Sequence, residues 1–306
     1  MPLDPRLLDS VVRISSAGDL LGSGSIVSVR SEATPEASWP YVVTAHHVIA
    51  SQVLVEIEVP DPLEQGKLFS PVPVDDWRQP IPNVDLAIAP FPSELVPRSQ
   101  SAGLGQFIPE GTVVPLGGQV FYLGIFAPLE VPMARGATIG ALEVPVGIGG
   151  YSYHADLVDC RSYGGFSGSP CFSTLSFAVA DQKAKALPEE LVPRRADGSE
   201  IPLSPLGSVA AFCGIFTAHY ADKAPDGIVS RYGVGVMLPC DYVRDALMTD
   251  EAKNERREWD RDRTARERKA LPSLENVASP TGGESEWDRF EDLTRKLVQT
   301  PKPDRA

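Results

Sequence analysis

The segment GGFSGSP at residues 164–170 is the most informative stretch of the chain, because it places a serine between glycines in a tight turn. Glycine neighbours let the backbone turn sharply enough to aim the amides of Gly165 and Ser167 at one point. Such a turn can present a serine hydroxyl to an amide carbonyl and hold the resulting oxyanion. Ser167 is therefore a candidate nucleophile, and Gly165 and Ser167 are candidate oxyanion donors.

A serine nucleophile also needs a base and an anion that orients the base, and both residue types lie upstream of this turn. TAHHV at residues 44–48 places two adjacent histidines at the end of an apolar strand. VDLAIAPF at residues 84–91 begins an apolar strand with a lone aspartate, Asp85. A semi-buried carboxylate there needs a partner. The order of these residues is histidine, aspartate, serine.

Short runs rich in valine, isoleucine and phenylalanine continue on both sides of these segments to about residue 240, separated by glycine and proline. This pattern predicts many short strands joined by tight turns, hence an all-β body. Before residue 92 we predict strands at 11–15, 24–29, 41–45, 53–59 and 85–91. After residue 112 we predict strands at 119–126, 141–146, 151–159, 170–174, 209–218 and 233–239. The turn-rich stretch between them predicts a connection between two β units.

The motifs resemble those of trypsin-like serine peptidases, most closely the bacterial Deg-type members. TAHHV resembles the family's histidine segment, VDLAIA its aspartate segment, and DCRSYGGFSGSP at residues 159–170 its serine segment. GSGSIVSV at residues 22–29 is similar to the strand that precedes the histidine in that group. The resemblance covers roughly residues 10–245, and no PDZ-like segment follows it.

The resemblance implies a chymotrypsin-like fold of two packed six-stranded β-barrels with a C-terminal helical tail. It carries the base onto His47, the orienting carboxylate onto Asp85 and the nucleophile onto Ser167. His46 is then a structural residue, although an inverted choice between the two histidines stays open. The implied domains are a first barrel at 1–95, a second barrel at 96–245 and a charged, partly flexible helical tail at 246–306.

The specificity pocket is less defined, because the sequence departs from the family there. Arg161, six residues before Ser167, would favour an acidic substrate side chain if it formed the pocket floor, or it is a solvated loop residue. Phe216 and Thr217, on the predicted pocket wall, suit apolar or small side chains. Phe166 replaces the aspartate that pairs with a new N-terminus in digestive relatives, which excludes activation by that ion pair.

Charge and composition limit the partners. A net charge of −13 argues against a nucleic-acid partner, which would require clustered cations. The N-terminal residues lack a signal-peptide pattern and no run reaches the ~18 apolar residues of a membrane span, so we expect a cytoplasmic protein without a membrane partner. The residues show no metal-ligand cluster and no nucleotide-binding motif, so we expect neither a metal nor a cofactor.

The four cysteines, Cys160, Cys171, Cys213 and Cys240, lie in or near apolar segments and are predicted to be buried thiols. A bridge between Cys160 and Cys213 stays open without support from the sequence. A polar, proline-interrupted excursion is predicted at 179–206. A charged surface helix is predicted from Asp241 to about residue 270, and a short amphipathic helix at 285–298.

Together these features predict a serine endopeptidase that cuts protein or peptide substrates through an acyl-enzyme. The alternative is a catalytically latent binding module on the same fold, which recruits a partner protein through its cleft or its tail. Hydrolysis of small esters by the same residues is a third, weaker hypothesis. A regulatory protein that binds the C-terminal helices is compatible with the first two.

Overall fold

The computed structural model consists mainly of β-strands arranged in two sheets. The chain forms two compact units, Met1–Asp260 and Arg261–Ala306, and both sheets belong to the first. The structure describes residues 5–34, 37–60, 67–91, 102–103, 107–108, 110–160, 164–176, 208–223 and 229–270. The excursion predicted at 179–206 and the helix predicted at 285–298 lie outside these residues.

The first sheet is antiparallel along the path β5-β4-β1-β2-β3-β6, and a short strand β7 pairs in parallel with β2. Its strands are β1 (Val11–Ser16), β2 (Asp19–Arg30), β3 (Ser38–Thr44), β4 (Leu54–Pro60), β5 (Lys67–Pro73), β6 (Ala87–Pro90) and β7 (Ala102–Gly103). One-turn helix α1 (His46–Ile49) follows β3.

The second sheet closes into a six-stranded barrel in the order β10-β13-β12-β11-β8-β9, so it has no free edge. Its strands are β8 (Gln119–Phe126), β9 (Val131–Ile148), β10 (Tyr151–Asp159), β11 (Ser169–Ser176), β12 (Ser208–Lys223) and β13 (Val229–Pro239). Helices α2 (Cys240–Leu247) and α3 (Asp250–Ala270) follow the barrel.

Strands β1 and β3 of the first sheet bury both faces. In β1, Val12 and Ile14 belong to the core enclosed by the first sheet, whereas Val11 belongs to the larger core of the second barrel. In β3, Val42 faces the first core and Val43 the second. This period of two follows from the alternation of side chains along a strand. The two sheets are thereby joined through apolar contacts.

The predicted fold is confirmed: the architecture is the chymotrypsin-like double β-barrel. The predicted strands at 119–126 and 151–159 coincide with β8 and β10. The sequence pattern missed β5, because its segment KLFSPVP contains two prolines. It also missed the first half of β9, because VPMARGATIG lacks a sustained alternation.

The predicted helix after Asp241 is interrupted after Leu247, where Thr249 begins a second helix. The hydroxyl of Thr249 accepts a hydrogen bond from the amide of Ala252 at 3.3 Å, which caps the N-terminus of α3. Asp250 and Glu251 then lie in the first turn, where their charge is favourable. Among the described residues, no helix is long and apolar enough to cross a membrane.

Residues of α3 up to Asp260 pack on the first sheet, so this part of the predicted surface helix has one face against the body. Trp259 packs against Trp39 and Tyr41 of β3, with ring centroids 5.2 and 5.6 Å apart. The carboxylate of Asp260 accepts hydrogen bonds from the hydroxyl of Ser31 at 2.7 Å and from the indole of Trp39 at 3.1 Å. The aromatic face explains why this charged helix stays on the body.

Glu255 adds a polar contact to the same surface. Its carboxylate accepts hydrogen bonds from the hydroxyl of Tyr41 at 3.2 Å and from Arg78 at 2.6 Å.

The predicted domain boundary at 245/246 falls inside α2, and the boundary at 95/96 lies outside the described residues. The three-part division of the chain therefore stays a prediction.

All four cysteines are free and buried, which confirms the prediction of buried thiols over the open alternative of a bridge. Burial raises the pKa of Cys160 to about 11 and that of Cys240 to about 12. Both thiols are therefore uncharged near neutral pH, a state in which sulfur is a poor nucleophile. The cysteines contribute to the apolar core.

We predict that Trp259→Ala lowers the free energy of unfolding by about 2 kcal/mol, because it removes the aromatic contact between α3 and β3. Glu258→Ala on the exposed face of the same helix is the matched control and should change stability by less than about 0.5 kcal/mol. Urea denaturation monitored by circular dichroism measures both values. Equal stability of the two variants would contradict the docked position of α3.

Candidate active site

Helix α1 places the two adjacent histidines at the end of β3. Its residues Val48 and Ile49 are buried in the core of the first sheet. This anchors one side of the single turn and leaves His46 partly buried and His47 exposed. Because the buried strand β3 leads directly into this short helix, the imidazole of His47 lies at the surface of the first barrel.

Asp85 lies just before β6 and binds His47 at two points. One carboxylate oxygen accepts a hydrogen bond from the His47 amide at 2.9 Å, and the other lies 2.8 Å from the His47 Nδ1. Asp85 is only 3% exposed, whereas 41% of the His47 side chain is exposed. The carboxylate assigns the proton to Nδ1, so Nε2 is left as an accessible acceptor. The predicted pairing of these two residues is present.

The Ser167 turn is tied to the first sheet through Ser23 of β2. The Ser23 amide donates to the Ser167 carbonyl at 2.8 Å, and the Ser23 hydroxyl donates to the Gly165 carbonyl at 2.7 Å. The same hydroxyl accepts a hydrogen bond from the Ile125 amide of β8 at 2.8 Å. One fully buried serine thus connects the turn to both barrels.

Sequence reasoning missed Ser23. The signal was the run GSGS at 22–25, which puts small polar residues in a strand that is otherwise apolar. A buried hydroxyl must find partners, so such a residue indicates a nearby backbone that needs hydrogen bonds. Without the turn's position in space, the identity of those partners could not be derived.

Gly22 of β2 lies between the serine turn and the helix that carries His47. A Cβ atom at this position would lie 2.8 Å from the Ser167 carbonyl oxygen and 2.9 Å from a methyl group of Val48. The backbone of Ser167 and the residue that follows His47 therefore meet at the same glycine of β2. The structure thus places the backbone of Ser167 close to the helix that carries His47, and it pairs His47 with Asp85.

The backbone of the serine turn has a defined conformation, and the role of Gly165 and Ser167 as oxyanion donors stays a prediction. Gly165 and Gly168 have positive φ angles of +94° and +86°, which favour glycine. Within the described part of the chain, the Gly168 amide donates to the Phe216 carbonyl and the Ser169 amide to the Phe166 carbonyl. Among the backbone hydrogen bonds of the described residues, none is donated by the amide of Gly165 or Ser167.

The hydrogen bond through which His47 would accept the Ser167 proton is not formed in the described part of the structure. Among the hydrogen bonds of the described residues, none joins the Ser167 hydroxyl to the His47 ring. Catalytic hydrogen bonds often tighten only when substrate binds, so this does not remove Ser167 from the site. The Asp85–His47 pair is therefore already formed, whereas the candidate nucleophile Ser167 is not hydrogen-bonded to it.

Two of the predicted pocket residues, Phe216 and Thr217, have buried side chains. Phe216 is 1% exposed and stacks on Tyr122 with ring centroids 4.9 Å apart. Thr217 is fully buried, and its hydroxyl lies 3.0 Å from that of Tyr153. Arg161 lies outside the described residues. The assignment of these three residues to a substrate pocket stays a prediction, and any direct contact by Phe216 or Thr217 would come from the backbone of β12.

His46 has a structural partner, in agreement with its predicted role. Its Nδ1 lies 2.8 Å from the Tyr151 hydroxyl. Burial lowers the pKa of His46, and the neighbouring charge of Asp85 opposes this effect only in part. Among the described residues, no group of three or more histidine, cysteine or acidic side chains is placed to hold a metal ion.

We predict that Gly168→Ala disrupts the turn, because a Cβ atom there would overlap the Ser23 carbonyl and the Thr44 hydroxyl, and φ is positive. The expected loss of stability is more than about 2 kcal/mol. Gly164→Ala is the matched control, since a Cβ atom at that exposed position meets nothing within 4 Å. Thermal melting compares the two. A Gly168→Ala protein as stable as Gly164→Ala would contradict the close packing of Gly168 against Ser23 and Thr44.

No protein-family model and no curated protein matches this sequence. Solved structures do match. The MamO protease domain of Magnetospirillum magneticum, in its apo form, has a TM-score of 0.52 and 17% identity over 80% of this chain and 99% of that chain. The HtrA-type protease AlgW with a tripeptide has a TM-score of 0.46 and 16% identity, over 78% of this chain and 59% of that chain.

A serine endoprotease from Yersinia pestis has a TM-score of 0.44 and 16% identity, over 80% of this chain and 65% of that chain. At these identities the likeness shows the fold and not the activity. The match to the MamO protease domain and the sheet topology agree with each other. The chain therefore has the chymotrypsin-like double β-barrel fold of which the MamO protease domain is a solved example.

Proposed function

We propose that this protein is a serine endopeptidase that hydrolyses peptide bonds of protein substrates through an acyl-enzyme intermediate. The observation that carries the proposal is the two-point contact of the buried Asp85 with His47, at 2.9 and 2.8 Å, beside the Ser167 turn. The fold shared with the MamO protease domain supports it as well.

In the proposed reaction, the Ser167 oxygen attacks the scissile carbonyl carbon while His47 Nε2 accepts the serine proton. The negative charge on the former carbonyl oxygen is held by the amides of Gly165 and Ser167. His47 then gives its proton to the leaving amine, and the C–N bond breaks. Water attacks the acyl-enzyme with His47 again as base, which releases the carboxylic acid and restores Ser167.

Asp85 supports both half-reactions in this proposal. Its carboxylate holds Nδ1 protonated and turns Nε2 toward the cleft, and it stabilises the imidazolium that forms when His47 takes the serine proton. The interaction is strong because Asp85 is shielded from water at 3% exposure. The bond to the His47 amide also fixes the helix that carries the ring.

The finer properties of the enzyme are proposals that the sequence motivates. The substrate preference is open between an acidic side chain, through Arg161, and a small or apolar one. We also propose a cytoplasmic location and a regulatory protein that binds the C-terminal helices. The contacts of Glu255, Trp259 and Asp260 with the first sheet hold the first part of α3 on the body, where such a partner would bind.

The second candidate is a catalytically latent binding module. The observation that favours it is the missing hydrogen bond between Ser167 and His47 among the described residues. In this alternative the cleft or the tail recruits a partner protein, and the triad residues do not turn over a peptide. Turnover of a protein substrate separates the two candidates.

We predict that the purified protein cleaves an unfolded protein substrate such as reduced casein, and that Ser167→Ala and His47→Ala abolish cleavage. Asp85→Asn should lower kcat by about 10³- to 10⁴-fold, because it no longer fixes the required His47 tautomer. His154→Ala, which alters an exposed histidine on β10, is the matched control and should keep full activity.

Cleavage is followed by the release of soluble fluorescent peptides. Activity that persists in Ser167→Ala would rule out the proposed nucleophile. Failure of the wild-type protein to cleave any peptide in a library with all residue types at the cut site would favour the latent module.

A further inference from the structure

The hairpin between β9 and β10 reaches across the molecule to the histidine helix of the first barrel. Its turn is Gly149–Gly150, both with positive φ angles, and Tyr151 follows directly as the first residue of β10. The Tyr151 hydroxyl lies 2.8 Å from the His46 Nδ1. The two rings also meet edge to face, with centroids 5.8 Å apart. His46 directly precedes His47.

The next residue of the hairpin makes a second contact with the first barrel. The amide of Ser152 donates to the carbonyl of Asn83 at 2.9 Å. Asn83 lies two positions before Asp85 and has a positive φ angle of 63°, so its backbone is at a bend. Two consecutive residues of the hairpin therefore hold the segment of His47 and the segment of Asp85.

Further along β10, Tyr153 connects this region to the serine turn. Its hydroxyl lies 3.0 Å from the hydroxyl of Thr217, next to Phe216. The Phe216 carbonyl accepts the hydrogen bond of the Gly168 amide at 2.8 Å. Strand β10 thus contacts the residue before His47, the bend two residues before Asp85 and, through β12, the turn that carries Ser167.

The surroundings keep the contact between Tyr151 and His46 uncharged. Burial raises the pKa of Tyr151, and the charge of Asp85 raises it further. Burial lowers the pKa of His46. A neutral tyrosine and a neutral imidazole share this hydrogen bond near neutral pH. A neutral pair adds no competing charge beside the ion pair that His47 forms with Asp85 in the transition state.

We propose that Tyr151 and His46 are positioning residues, whose hydrogen bond between the barrels sets the orientation of His47 relative to Ser167. The proposal rests on the proposed function for its effect on rate. Neither residue touches the reacting atoms in this account. They act through helix α1, which His46 shares with His47.

The test uses the full chain and four variants. Tyr151→Phe removes only the hydroxyl, and His46→Ala removes the ring. His46→Asn restores an acceptor close to the position of Nδ1. Tyr242→Phe is the matched control, because Tyr242 packs against Tyr153 and its hydroxyl accepts a hydrogen bond from the amide of His154, not from the histidine helix. The second-order rate of Ser167 modification by a fluorescent fluorophosphonate is measured for each, together with the melting temperature.

We expect Tyr151→Phe and His46→Ala each to lower the modification rate by about tenfold, since small displacements of a base have large effects on rate. The double variant should be no slower than either single variant, because both remove the same hydrogen bond. His46→Asn should recover most of the rate, and Tyr242→Phe should match the wild type. A Tyr151→Phe protein that reacts at the wild-type rate would overturn the proposal, as would additive effects of the two substitutions.

The ring ¹⁵N resonances of His47 provide a second measurement that does not depend on a reactive serine. We expect Tyr151→Phe to shift them and Tyr242→Phe to leave them unchanged. If the wild-type protein does not react with the fluorophosphonate, the proposed function fails, but the resonances still decide whether Tyr151 positions His47. Unchanged resonances in Tyr151→Phe would refute the positioning role.

Discussion

The site depends on the contact between the serine turn of the second barrel and strand β2 of the first, which is made through Ser23. The amide and the hydroxyl of Ser23 donate hydrogen bonds to two carbonyls of the turn. The hydroxyl also accepts a hydrogen bond from the amide of Ile125. Ser23 is fully buried, so the folded protein would lose stability if the amide or the hydroxyl of Ser23 were left without a hydrogen-bond partner. The contact therefore fixes where Ser167 lies relative to the strand that runs beside the histidine helix.

The base and its acid are placed by a different set of forces. Val48 and Ile49 anchor the short helix in an apolar core, and Asp85 binds both the amide and the ring of His47. Apolar burial thus fixes the helix, and a buried carboxylate selects the tautomer of the exposed ring. Each half of the site is held by its own contacts, while among the described residues no hydrogen bond joins the Ser167 hydroxyl to His47. This arrangement suits an enzyme whose last contact forms with substrate, and equally a module that waits for a partner.

The sequence predicted the features that depend on local patterns. Strands with sustained apolar runs, such as 119–126 and 151–159, were found, and so was the pairing of His47 with Asp85. Features that depend on contacts between distant segments were not. Ser23 and Tyr151 act on residues more than a hundred positions away, and no local signal identifies such partners. The charge of α3 predicted a surface helix, but not the surface on which it packs, because Trp39 and Tyr41 lie more than two hundred residues away in the chain.

The central claim is that this scaffold activates Ser167 as a nucleophile. The most direct measurement is mass spectrometry of the protein after treatment with a fluorophosphonate, with peptide mapping of the modified residue. The account predicts one adduct per chain, located on Ser167, and none after denaturation, since the activating geometry is then lost. An unmodified Ser167 in the folded protein, or adducts spread equally over other serines, would contradict it.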